Sequence, residues 1–315
     1  FEKKKTTHNN CKMSDQFERA QALEQKGVKS MNKSRFFDPF GTRFETANEY
    51  FEKAINLYKM AQKYNEAAKV YDKVVECLGK MGDGEYEIAL AHHEQGKLYN
   101  KLNDTDEAAD AFSKASSCYA KIGKFHSSAQ IEQEIGELLE KDQEMEKALP
   151  HYLKAYEYYS TEGSKKKSVD MLEKLGGIYG ELGDYEKAVK YFEDGADMTV
   201  NDQMLRWGSK RFYFGAALCS LASMGDDVEA KMDQVLAKLE DYEDESSDYR
   251  DDYTGKLISA IVTAMTKEDT SKLVKEFSSA VRQFSEFKQL DDWTTDILLK
   301  IKKSLEKFQG SDEDI

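Results

Sequence analysis

Four segments of this chain carry one cassette, an alanine followed four residues later by an aromatic ring. They are EAAKVY (Ala67, Tyr71), EAADAF (Ala108, Phe112), KALPHY (Ala148, Tyr152) and KAVKYF (Ala188, Phe192). Their alanines lie 41, 40 and 40 residues apart. Positions four apart share a helix face, and a fixed period of this length marks an array in which each unit buries its apolar face against its neighbours. Further helices are expected between the cassettes, over about 84–102, 124–141 and 164–182. Turns are read at Gly82, near Asp104, and at Gly123, Gly163 and Gly183, where glycine supplies a left-handed cap and Asp or Ser can start the next helix. The unit is a helical hairpin. It resembles tetratricopeptide logic with a period longer than the usual ~34 residues. The chain has only two prolines, and Pro150 is expected early in its helix, where the missing N–H costs little.

The fold class expected is all-α: a tetratricopeptide-like array of antiparallel hairpins, a twisted sheet or superhelix, with a C-terminal helical bundle. Met13-Ser14-Asp15 reads as a natural start, so residues 1–13 are expected to lie upstream of the fold and to be disordered. The array is assigned to 14–203, the bundle to 204–308 and an acidic tail to 309–315. In the bundle, one helix, or two if TKEDTS (266–271) breaks it, is expected near 254–287, and another over 290–307. Residues 226–252 hold twelve acids against three bases.

Composition narrows function. The net charge of −14 argues against a free nucleic-acid binder. Cys11, Cys77, Cys118 and Cys219 are scattered without a CxxC pair, which suits neither a zinc site nor a disulfide framework and fits a reducing cytosol. No apolar run approaches the ~18 residues of a membrane span. His92-His93-Glu94 lacks the i,i+4 histidine spacing of a zincin helix and reads as helix surface, and Gly79–Gly84 lacks the Lys-Ser/Thr of a P-loop. No residue supports an enzyme, a cofactor or a metal. Binding remains. Lys121 and Lys124, then Lys165, Lys166 and Lys167, then Arg206, Lys210 and Arg211 recur at about the repeat period. They are either ordinary solvated turns or a basic stripe for an acidic, rod-like partner.

KSRFFDPFGTR (33–43) stands apart. Pro39 and Gly41 stop a helix among Phe36, Phe37 and Phe40, with Lys33, Arg35 and Arg43 alongside. These rings either tuck under the first hairpin or insert shallowly into an anionic bilayer surface, which aromatic and basic residues favour together.

The early FFDPFG, the hairpins, KYFEDGADMTVNDQMLRWGSKRFYFGAALC and the ending LDDWTTDILLKIKKSLEKFQGSDEDI together resemble the α-SNAP, or soluble NSF attachment protein, family across 14–315. The resemblance implies a non-enzymatic adaptor that coats the SNARE four-helix bundle and recruits the hexameric ATPase NSF, cytoplasmic and peripherally bound to membrane. It implies a membrane-contacting loop at Phe36, Phe37 and Phe40. SNARE-facing bases fall on Lys124, Arg206, Lys210 and Arg250, with Lys165, Lys166 and Lys167 beside them; two further family bases appear here as Gln130 and Asp170. It implies NSF-facing positions at Asp226, Glu268, Asp269, Asp312, Glu313, Asp314 and Ile315.

Overall fold

The computed structural model describes residues 2–34, 38, 42–82, 84–267 and 270–313. Every regular element among them is helical. The chain forms two compact units, Phe1–Gly163 and Ser164–Ile315.

The first unit holds α1 (Glu2–Met31), α2 (Arg43–Met60), α3 (Tyr64–Met81), α4 (Glu85–Lys101), α5 (Thr105–Lys121), α6 (Phe125–Lys141) and α7 (Met145–Thr161). Each packs on the next in chain order, as antiparallel hairpins do. The cassettes fall on α3, α5 and α7, and Ala67, Ala108 and Ala148 are fully buried. Phe112 and Tyr152 lie over a glycine sixteen residues earlier, Gly96 on α4 and Gly136 on α6. A Cβ there would stand 2.6 and 2.8 Å from the ring atoms, so only glycine lets the helices close. Tyr71 has Ile55 at that spacing and stays half-buried.

The turns at Gly82, Gly123 and Gly163 adopt positive φ as expected. The opposite turns do so without glycine, at Gln62, Asn103 and Gln143, with φ of 57°, 56° and 63°. Each is followed by an N–H that reaches back five residues: Lys63 to Tyr58 O at 2.8 Å, Asp104 to Tyr99 O at 3.0 Å and Glu144 to Leu139 O at 2.9 Å. That Schellman closure satisfies the last carbonyls and outweighs the left-handed strain.

Three expectations are corrected. Residues 2–13 are helical, because nothing before Gly27 breaks the run that α1 continues. Pro150 sits inside α7, past its first turn, so the helix forgoes an internal hydrogen bond. His93 is half-buried rather than fully on the surface: it packs 5.5 Å from the Phe112 ring with Nε2 3.1 Å from Glu134 Oε2 on α6.

The second unit holds α8 (Lys165–Glu181), α9 (Tyr185–Val200), a 3-10 turn (Arg206–Gly208), α10 (Ser209–Ala222), α11 (Val228–Glu245), α12 (Ser247–Arg250), α13 (Tyr253–Met265), α14 (Leu273–Phe287) and α15 (Asp292–Glu313). The hairpin α8–α9 repeats the device, with Phe192 over Gly176. Helix α10 is buried on all sides from Phe212 to Ala222, as its continuous apolar run requires. Trp293 of α15 meets Phe192 of α9 edge-on at 5.9 Å, and the last helix packs chiefly on α10 and α14. Helix α13 ends at Met265 and α14 begins at Leu273, and α15 continues through Glu313.

Candidate functional site

Asp202 organises the segment between α9 and α10. Its Oδ1 accepts from Met204 N at 2.9 Å and Leu205 N at 3.1 Å, and its carbonyl accepts from Arg206 N at 2.8 Å. Its Oδ2 accepts from Lys165 Nζ at 2.6 Å. The Lys165 bond, with the two backbone donors, holds this carboxyl below its ordinary value. One side chain therefore shapes the turn that presents Arg206 and ties it to the first residue of α8.

Arg206 and Lys210 stand four residues apart and meet Asp248 and Asp252, also four apart. Arg206 Nε donates to Asp248 Oδ2 at 2.9 Å, and Lys210 Nζ to Asp252 Oδ1 at 2.7 Å. Asp252 also caps α13, with Oδ2 accepting from Thr254 Oγ1 at 2.8 Å. Burial would raise the Asp252 carboxyl, but the Lys210 and Thr254 bonds outweigh it and hold it low. Arg250 falls between the two acids in sequence, and its Nε stands 3.4 Å from Asp251 Oδ1. Arg211 reaches back to α8, 3.2 Å from Glu173 and 3.8 Å from Asp170. Burial raises the Glu173 carboxyl despite that guanidinium.

The structure thus brings Arg206 and Lys210 together against α12 and the cap of α13, with Lys165 tied in through Asp202, while Arg250 on α12 turns to its neighbour Asp251. Lys166 and Lys167 follow in the first turn of α8. The face is a mosaic rather than a bare basic stripe, since each of these four bases stands beside an acid. Two apolar residues that sequence reasoning missed flank Arg206: Met204 and Trp207 are 90% and 76% exposed. Their signal was present in MLRW, apolar side chains in a segment with no helical period. Lys124 belongs to the first unit. There it immediately precedes α6, its ammonium 5.2 Å from the Tyr86 ring centroid, where Tyr86 and Tyr119 also meet at 5.7 Å. Gln130 is exposed on α6.

Asp226 precedes α11, and its Oδ1 accepts from Lys307 Nζ of α15 at 2.7 Å. Asp312 and Glu313 extend the backbone of that same helix. Phe36, Phe37, Phe40, Glu268, Asp269, Asp314 and Ile315 lie outside the described residues. Among the described residues no cluster of His, Cys, Asp and Glu could hold a metal ion. No described helix is long and apolar enough to cross a membrane.

Residues 18–306, which span both units, match the family described as "Soluble NSF attachment protein, SNAP". The chain belongs to the soluble NSF attachment protein family. An alpha-soluble NSF attachment protein of Vitis vinifera is 26% identical over 96% of this chain and 100% of its own length. A beta-soluble NSF attachment protein of Bos taurus is 28% identical over 87% and 88%. The alpha-soluble NSF attachment protein of Saccharomyces cerevisiae is 25% identical over 94% and 98%. The family match begins within α1 and ends within α15, so the Asp202 turn and the Arg206–Asp248 and Lys210–Asp252 pairs fall inside it.

Proposed function

We propose that this chain is a cytoplasmic, non-enzymatic adaptor that binds the assembled SNARE four-helix bundle and recruits the NSF hexamer to take it apart. Membership of the attachment-protein family carries the reading. The adjoining Arg206 and Lys210, with Lys165, Lys166 and Lys167 on α8 and Arg250 on α12, support it. Their cations are exposed or half-exposed and can exchange an internal carboxylate for one on a partner. Such an exchange costs little, because pairs at this exposure are worth only about 0–1 kcal/mol each. Met204 and Trp207 supply apolar contact at the same place, and Lys124 adds a base in the first unit. Asp226, Glu268, Asp269, Asp312, Glu313, Asp314 and Ile315 form the NSF-facing set, six of them acids suited to a basic ATPase domain. Phe36, Phe37 and Phe40 touch the bilayer and orient an adaptor already gripping an anchored bundle. One such loop is too weak to anchor the chain alone.

The deciding experiment mixes the purified chain with SNARE complex and NSF and follows ATP hydrolysis and bundle disassembly. Stimulation of both is expected. A folded chain that stimulates neither, with matched partners, overturns the reading.

A further inference from the structure

A groove in the first unit takes no part in these roles. Helix α3 forms its floor and α2 and α4 its walls, enclosing about 350 Å³. Ile55, Val74 and Leu78 lie buried at its base, and Leu90 on the α4 wall keeps 39% of its surface exposed. Acids stand along both walls. Glu94 on α4 is balanced, with Lys97 at 3.0 Å and Lys59 at 3.3 Å. Exposed Glu87 lies two turns earlier on the same wall, and exposed Glu52 lies on the α2 wall. Glu52 accepts a hydrogen bond from Asn48 Nδ2 at 3.0 Å, a neutral donor that leaves its charge uncompensated. The amide oxygen of Asn48, which also lines the groove, is buried without a donor.

An apolar base between negative walls, with an acceptor short of a donor, selects for one kind of occupant. We propose that this groove seats a basic amphipathic helix from a partner protein. The apolar ridge of such a helix, at i, i+3 and i+4, lies over Ile55, Val74 and Leu90, and its lysines or arginines reach Glu52 and Glu87 on either side. An acidic helix meets like charge on both walls and is rejected. The groove therefore differs in sign from the surface assigned to the acidic bundle, and the inference stands whether or not that assignment holds.

The test uses the full chain and fluorescence anisotropy. The probe is a fluorescein-labelled synthetic helix of roughly five turns built from leucine and lysine, with a glutamate-for-lysine version as control. The lysine probe binds and the glutamate probe does not. Glu52→Gln with Glu87→Gln weakens the lysine probe by about fivefold or more and flattens its salt dependence. Asp106→Asn with Glu146→Gln removes the same charge elsewhere in the unit and leaves binding unchanged. Leu90→Ser, at an exposed position that leaves the fold intact, weakens binding as well. Equal loss from both charge pairs means that the probe reads net charge alone and overturns the groove. A Leu90→Ser chain that binds like the parent overturns it too.

Discussion

Asp252 accepts from a cation and from a helix N-terminus at once, and the two roles respond differently to acid. Its carboxyl titrates below its ordinary value in the folded chain. A group depressed on folding contributes stability above its unfolded pKa, near 3.9, and loses it as pH falls through the lower folded value. Asparagine in its place still caps α13 but cannot pair with Lys210 as an anion. Asp252→Asn is therefore expected to be slightly less stable than the parent near neutral pH and to converge on it between about pH 4 and 2. Urea melts across that range measure both. Gln143 offers the opposite case, a residue that costs stability where it stands. Its φ of 63° suits glycine, and the Leu139–Glu144 closure keeps it there. Gln143→Gly is expected to raise unfolding stability by about 0.5–1 kcal/mol, readable as a higher urea midpoint at unchanged slope.

At the scale of the helix, the recurring contact is a ring seated on a glycine of the preceding helix. Gly136 normally costs α6 about 0.5–1 kcal/mol relative to alanine. Here Tyr152 fills the space that a Cβ would need, and its hydroxyl donates to Glu140 Oε2 at 2.6 Å. Gly136→Ala is therefore expected to destabilise the chain by about 1–3 kcal/mol despite better helix propensity. The loss should shrink when Tyr152→Leu is added, because the smaller side chain vacates the clash. A thermal double-mutant cycle checks the coupling. Much of this hairpin was legible beforehand. The Ala–aromatic cassette named α3, α5, α7 and α9, and Gly82, Gly123 and Gly163 marked one set of hairpin ends. The column Gly96, Gly136, Gly176 was equally periodic and was missed, since glycine within a helix reads as weakness until its partner ring is known. The turns at Gln62 and Gln143 were not legible, because glutamine carries no turn signal and its left-handed φ is imposed by the closure around it. The candidate face was half legible: Arg206, Lys210 and Arg250 were named, but their acids were not. The Arg206–Asp248 and Lys210–Asp252 pairs join residues 42 apart through the packing of α10 near α12 and α13, which no local pattern encodes.

For the molecule as a whole, the net charge of −14 sets the terms on which it can meet an acidic partner. Long-range attraction is weak or adverse, so the proposed binding relies on bases that act at contact and within a Debye length of about 8 Å at physiological salt. Those bases are already occupied by internal acids, and the competition between internal and external carboxylates predicts how substitutions sort. Arg206→Glu with Lys210→Glu removes the cations and places acids opposite Asp248 and Asp252. It is expected to weaken binding to SNARE complex by at least about tenfold in a sedimentation or interferometry assay. Asp248→Asn does the reverse. It removes the internal partner of Arg206, 2.9 Å away, without touching the α13 cap, and frees the guanidinium for an external carboxylate. Affinity is expected to rise about two- to fivefold at low salt, and the gain should disappear near 0.5 M salt as screening removes what the freed charge adds. An adaptor that used this face only through Met204 and Trp207 would be indifferent to Asp248→Asn at every salt concentration. The sign of the change at low salt therefore separates a charged grip from an apolar one.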